Sequence, residues 1–113
     1  MPPTRSEILQ GTLDLMVLKT VEALGPLHGY GIARRIEQVS EDVLQLNQGT
    51  IYASLVRLQQ NGWIASEWGA SENNRKAKYY RLTRSGRKRL TAEADDWARI
   101  SGVIGKVLQL TSR

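Results

Sequence analysis

Between residues 8 and 24 the apolar positions Leu9, Leu13, Met16, Val17, Val21 and Leu24 recur at helical spacing, which predicts an amphipathic helix. Leu15 and Leu18 widen its apolar surface past one stripe, so this helix is expected to face both a core and a partner. Gly25-Pro26 ends it, because proline cannot continue a helix and glycine suits its end. A second helix is predicted over 30–39, with Ile32, Ala33 and Ile36 inward and Arg34, Arg35, Glu37 and Gln38 in water. A third opens behind Asn47, a favourable N-cap. It runs through Ile51, Leu55 and Leu58 and stops at Asn61-Gly62.

The pattern then changes. Residues 63–68 and 76–82 are short runs rich in strand formers, including Ile64, Tyr79, Tyr80 and Leu82. The polar stretch 69–75 between them predicts a hairpin with a long, flexible tip. Thr83 can cap a last helix with a body over about 87–110. Its positions Leu90, Ala94, Trp97, Ser101, Ile104 and Leu108 step by four and three in alternation, the seam of a helix packing along another helix. Ser101, with Gly102 and Gly105 nearby, makes this less than an ideal coiled coil. The expected class is mainly α with a small β-hairpin (α+β): a winged helix-turn-helix over 1–83 and a dimerisation helix over 84–113, in one compact unit.

Length changes this little, since 113 residues suit a single domain. Composition removes chemistry. With no cysteine there are no disulfides or thiolate sites, and a single histidine argues against structural zinc. His28, alone between Leu27 and Gly29, reads as a cap or packing residue. No serine–histidine–acid set, phosphate-cradling glycine loop or framed acid pair is present; Asp95 and Asp96, adjacent on a helix, diverge by ~100°. Neither catalytic residues, metal nor cofactor are expected. No apolar run approaches the ~20 residues of a membrane span, and Met1-Pro2-Pro3-Thr4-Arg5 lacks the apolar core of a signal peptide. A cytoplasmic protein without membrane contact is expected.

Charge adds a partner. The net charge is +5, yet residues 1–74 hold five cations against eight acids. Residues 75–89 hold eight cations and no acid: Arg75, Lys76, Lys78, Arg81, Arg84, Arg87, Lys88 and Arg89. Such a concentration suits a polyanion, with a solvated surface run as the plain alternative. Three helices followed by a hairpin is the winged-helix order, in which the third helix enters the major groove of duplex DNA and the hairpin holds phosphates. Gln48, Thr50, Tyr52, Ser54 and Gln59 offer neutral hydrogen-bonding groups on that helix, Arg57 being its single cation. Arg75, Lys76 and Lys78, with Asn73 and Asn74 at the tip, are the expected contacts of the wing. Trp63 and Trp68 read as core or wing supports.

The chain resembles the PadR family of bacterial transcriptional regulators, in its compact branch with a single carboxy-terminal helix. The stretches that carry the resemblance run in order through the chain. They are Gly11-Thr12-Leu13-Asp14-Leu15, Pro26-Leu27-His28-Gly29-Tyr30-Gly31-Ile32, Leu46-Asn47-Gln48-Gly49-Thr50-Ile51-Tyr52, Gly62-Trp63-Ile64 and Lys78-Tyr79-Tyr80-Arg81-Leu82-Thr83. Trp68-Gly69 and Ser71-Glu72-Asn73-Asn74-Arg75 are similar to the wing of acidobacterial members. The resemblance implies a repressor that binds a palindromic operator as a two-fold dimer, built by the last helix with help from the first. The interface set is then Leu13, Val17, Leu90, Ala94, Trp97, Ser101, Ile104 and Leu108. It also places Tyr52 near DNA, although a Tyr packing its ring on the core edge is the alternative. In drug-sensing members a tryptophan of the last helix lines a pocket at the dimer axis, and Trp97 stands at the matching place. A planar hydrophobic effector could sit there, or the seam could close and leave no cavity. A winged-helix module that binds protein instead of DNA is the second functional class; the cation-rich segment favours DNA.

Overall fold

The computed structural model describes residues 5–112, with side chains over 11–112. The expectations for Met1 to Thr4 and for an inward Leu9 lie outside the described residues. The elements are α1 (Arg5–Leu24), β1 (Leu27–His28), α2 (Gly29–Val39), α3 (Gln48–Gln60), β2 (Ile64–Ala70), β3 (Lys76–Leu82) and α4 (Arg84–Leu108). Four helices surround a three-stranded antiparallel sheet of order β1-β3-β2, an α+β winged helix.

The starts of α2, α3 and α4 each have a side-chain acceptor for a backbone N–H that would otherwise be orphaned. The Gly31 N–H donates to His28 Nδ1 at 2.9 Å, the Thr50 N–H to Asn47 Oδ1 at 2.8 Å, and the Gly86 N–H to Thr83 Oγ1 at 3.0 Å. His28 is thus a cap, and its ring meets Tyr79 edge-on with centroids 5.5 Å apart. It also belongs to β1, a strand too short to show a period of two. Leu27 pairs with Tyr80 and His28 with Tyr79.

The core is Leu13, Val17, Leu18 and Val21 of α1, Ile32, Ala33 and Ile36 of α2, and Ile51, Leu55 and Leu58 of α3, closed by Ile64, Tyr80 and Leu90. This corrects part of the expected dimer set. Leu13 and Val17 are 2% and 0% exposed within the single chain, and Leu90 is buried with them. Leu13 and Val17 lie in the core with α2, α3 and the sheet, away from any partner, whereas Leu90 also borders the groove between α1 and α4. The outward side of α1 is carried by half-buried Leu15 and Met16.

Two local readings also shift. Glu37 does not simply face water: its carboxylate accepts the Leu46 N–H at 3.0 Å and pins the segment leading into α3. The hairpin tip is shorter than expected, because Gly69 and Ala70 continue β2 and pair with Ala77 and Lys76. Five residues remain. The Ser71 N–H donates to Arg75 O at 2.7 Å and the Asn74 N–H to Ser71 O at 2.9 Å, closing the turn.

Candidate nucleic-acid interface

Helix α3 sits on the sheet and exposes one side. Ile51, Ser54, Leu55 and Leu58 point inward, a core face spaced three, one and three. At about 100° per residue, Gln48, Tyr52 and Gln59 share the flank turned toward the sheet, whereas Thr50 and Arg57 share the flank toward α1. Contacts support this division. Ser66 Oγ donates to Gln59 Oε1 at 3.3 Å. Tyr80, buried beneath, has its phenol held above the usual range by that burial, and nearby Tyr52 adds to the effect. Tyr52 itself is 63% exposed, with Gly49 and Ala53 also exposed beside it.

One expected DNA contact is corrected, and a second, Arg57, is already paired within the chain. Ser54 is 0% exposed and its hydroxyl donates to Asp14 Oδ1 of α1 at 2.6 Å. Arg57 makes a two-point bond to the same carboxylate, Nε to Oδ2 at 3.1 Å and a terminal nitrogen to Oδ1 at 2.8 Å. That hydrogen bonding raises the guanidinium pKa further and outweighs partial desolvation. Both residues lock α3 to α1. A signal was available: Ser54 lies three after Ile51 and four before Leu58, on the core stripe.

The wing carries its cations in two ways. On β2 and β3 the residues Ile64, Ser66, Trp68 and Ala70 share a face with their partners Leu82, Tyr80, Lys78 and Lys76. Near the body this face is core; beyond Ser66 it opens. There Trp68 is 60% exposed, with Lys76 and Lys78 Nζ at 5.1 and 5.6 Å from its ring centroid. Trp68 is therefore no support beneath the wing. Asn73, Asn74 and Arg75 stand exposed at the tip, Asn74 at φ 58°. The remaining basic residues lie elsewhere. Arg84, Arg87 and Lys88 are exposed on the first turns of α4, and Arg89 lies 4.5 Å from the Trp63 ring and pairs with Glu93. A run contiguous in sequence is thus divided in space.

Beyond Leu90 helix α4 is largely exposed. Trp97, Ile100, Val103, Ile104, Val107 and Leu108 are each more than half exposed in the single chain. Ala94, Trp97, Ile104 and Leu108 of the expected seam are exposed and Ser101 half-buried; Ile100, Val103 and Val107 broaden the apolar surface beyond it. Between α1 and α4 an open groove of about 580 Å³ is lined by Leu15, Met16, Lys19, Leu90, Ala94 and Trp97. Among the described residues no cluster of His, Cys, Asp and Glu could hold a metal, and no helix is long and apolar enough to cross a membrane.

Known proteins share this arrangement. The model of the transcriptional regulator PadR-like family matches residues 17–92. An uncharacterised protein of Lysinibacillus sphaericus is 30% identical over 100 residues, covering 88% of this chain and 91% of that one. A solved PadR-like transcriptional regulator of Bacillus cereus superposes with a TM-score of 0.79 at 25% identity, covering 93% of this chain and 99% of the other. A transcriptional regulator of Clostridium thermocellum also gives 0.79, at 28% identity, with 88% and 96% covered.

Proposed function

The chain belongs to the PadR-like family of transcriptional regulators, not of enzymes, and from that premise we propose that it is a homodimeric repressor of a palindromic operator. The supporting observation is that the exposed flank of α3 adjoins the open face of the wing, with Gln59 bonded to Ser66 and Tyr52 near Tyr80. Gln48, Tyr52 and Gln59 belong to the first surface, and Lys76 and Lys78 to the second. Side chains that hydrogen-bond base edges thus stand beside side chains that neutralise phosphates, the two halves of duplex recognition. Thr50, on the flank toward α1, lies in the first turn, where recognition helices meet bases. Residues 84–113 supply the dimer contact through the apolar face of α4, and residues 1–83 the DNA contact. The groove beside Trp97 suits a planar aromatic effector that relieves repression, provided it binds the DNA-competent and incompetent dimers with different affinity.

The test is fluorescence anisotropy of a labelled duplex at two salt concentrations. Three wing cations per protomer, Arg75, Lys76 and Lys78, make six phosphate contacts in the dimer. Affinity should then fall roughly 10³-fold between about 50 and 200 mM salt. Binding that ignores salt, or none at all, would turn the reading toward a protein-binding module.

A further inference from the structure

We propose that Trp68 is a direct DNA contact, its indole lying against the deoxyribose of a backbone strand whose phosphates are held by Lys76 and Lys78. The inference rests on the DNA-binding reading above and names a residue that the basic pattern does not contain. Three observations carry it. Trp68 is 60% exposed on a strand whose other same-face residues nearer the body are buried or half-buried, so its ring is not spent on the core. It stands on the open face of the wing, the face that turns toward Tyr52 and Gln59 across Tyr80 and Ser66. Its flanking ammonium groups, 5.1 and 5.6 Å from the ring centroid, come from Lys76 and Lys78, four and two residues before Tyr80 on the paired strand.

The chemistry selects the occupant. A bare apolar partner would leave two ammonium groups desolvated and unpaired, which is costly. A free anion would satisfy the ammonium groups and leave the indole in water. A sugar-phosphate strand has both parts at the right scale: an apolar sugar face between anionic phosphates. Cation–π attraction fixes each ammonium group beside the ring before DNA arrives, so less side-chain freedom is lost on binding. Trp68 then contributes affinity that salt does not screen, alongside the salt-dependent contribution of the lysines.

The experiment uses the whole chain labelled with 5-fluorotryptophan, whose three tryptophans give three fluorine resonances. Trp68→Phe identifies its own by absence. A random duplex of about three helical turns is titrated in, with anisotropy of the same labelled duplex as an independent measure of binding. The Trp68 resonance should shift on addition of duplex. Trp68→Ala should bind about tenfold more weakly with the slope of affinity against salt unchanged, in the range for loss of one aromatic stacking partner. Since the ring is exposed, the variant should fold. A Trp68 signal that stays still while anisotropy reports binding overturns the contact and leaves the DNA reading intact. A Trp68→Ala slope flattened by about four units, two lysines in each protomer, would also overturn it, because the ring would then merely hold the lysines. No anisotropy change in the unsubstituted chain would remove the DNA reading itself.

Discussion

Asp14 is the residue on which the placement of α3 turns. One carboxylate accepts from Ser54, fully buried, and from two nitrogens of Arg57, and so binds two positions of α3 to α1. Asp14→Ala should destabilise the fold by about 1–3 kcal/mol, because the buried hydroxyl loses its acceptor and the guanidinium its partner. Urea denaturation reads this directly; Ser54→Ala, which removes the need for an acceptor, should cost less. A second critical residue is Gly86. A Cβ there would lie 1.9 Å from the Trp63 carbonyl oxygen, where the start of α4 passes over the end of α3 and the start of β2. Backbone cannot step aside as a side chain can, so Gly86→Ala should cost at least about 1–3 kcal/mol. Gly102 of α4 has open space around it and an ordinary helical backbone. Gly102→Ala should instead stabilise by roughly 0.5–1 kcal/mol, the helix-propensity difference alone.

At the scale of elements, α3 and the wing divide the work of recognition. Replacing Arg75 and Lys76 with Ala should weaken binding to all duplexes alike and flatten the salt slope by about one unit per lost phosphate contact. Replacing Gln48 or Tyr52 should change which sequences are preferred, as read by competition among duplex variants, with the slope kept. Thr50 is half-buried on the flank toward α1 and its backbone N–H is occupied by Asn47, so Thr50→Ala should alter preference less than Gln48→Ala. The opposite ranking would place the DNA on the α1 side of α3. Glu37 matters here too, since its bond to the Leu46 N–H sets where α3 begins.

The whole molecule is elongated, 64 × 30 × 25 Å, because α4 projects past the body. A helix with six large apolar side chains more than half exposed over residues 97–108 is poorly suited to remain in water. Analytical ultracentrifugation at micromolar concentration should show a dimer of the 12.7 kDa chain. Ile104→Glu should return it to monomer while leaving circular dichroism of the body intact, because Ile104 contributes nothing to the core of the single chain. An unchanged dimer would place the interface elsewhere.

What the sequence determined by itself is everything encoded in short-range period and local capping. Helix stripes, the Asn47 and Thr83 caps, the stop at Gly62 with its φ of 76°, and the alternation of Tyr79 and Tyr80 all depend on neighbours within a turn or a strand. These sufficed for the winged-helix order and, through the basic run, for the class of partner. The tertiary structure decided which of two chemically plausible directions a side chain takes. Ser54 and Arg57 are polar and sit on the right helix, yet Asp14, forty and forty-three residues away, takes up both side chains. Leu13 and Val17 are apolar enough for either core or interface, and only the packing of α1 on α3 and the sheet assigns them to the core. β1, two residues long, exists because β3 offers it an edge. Trp68 is the reverse case: an aromatic on a strand reads as support until the register shows that the body ends before reaching it. Periodicity fixes which residues share a face, but burial depends on what chain comes to cover that face, and that information is spread across distant segments.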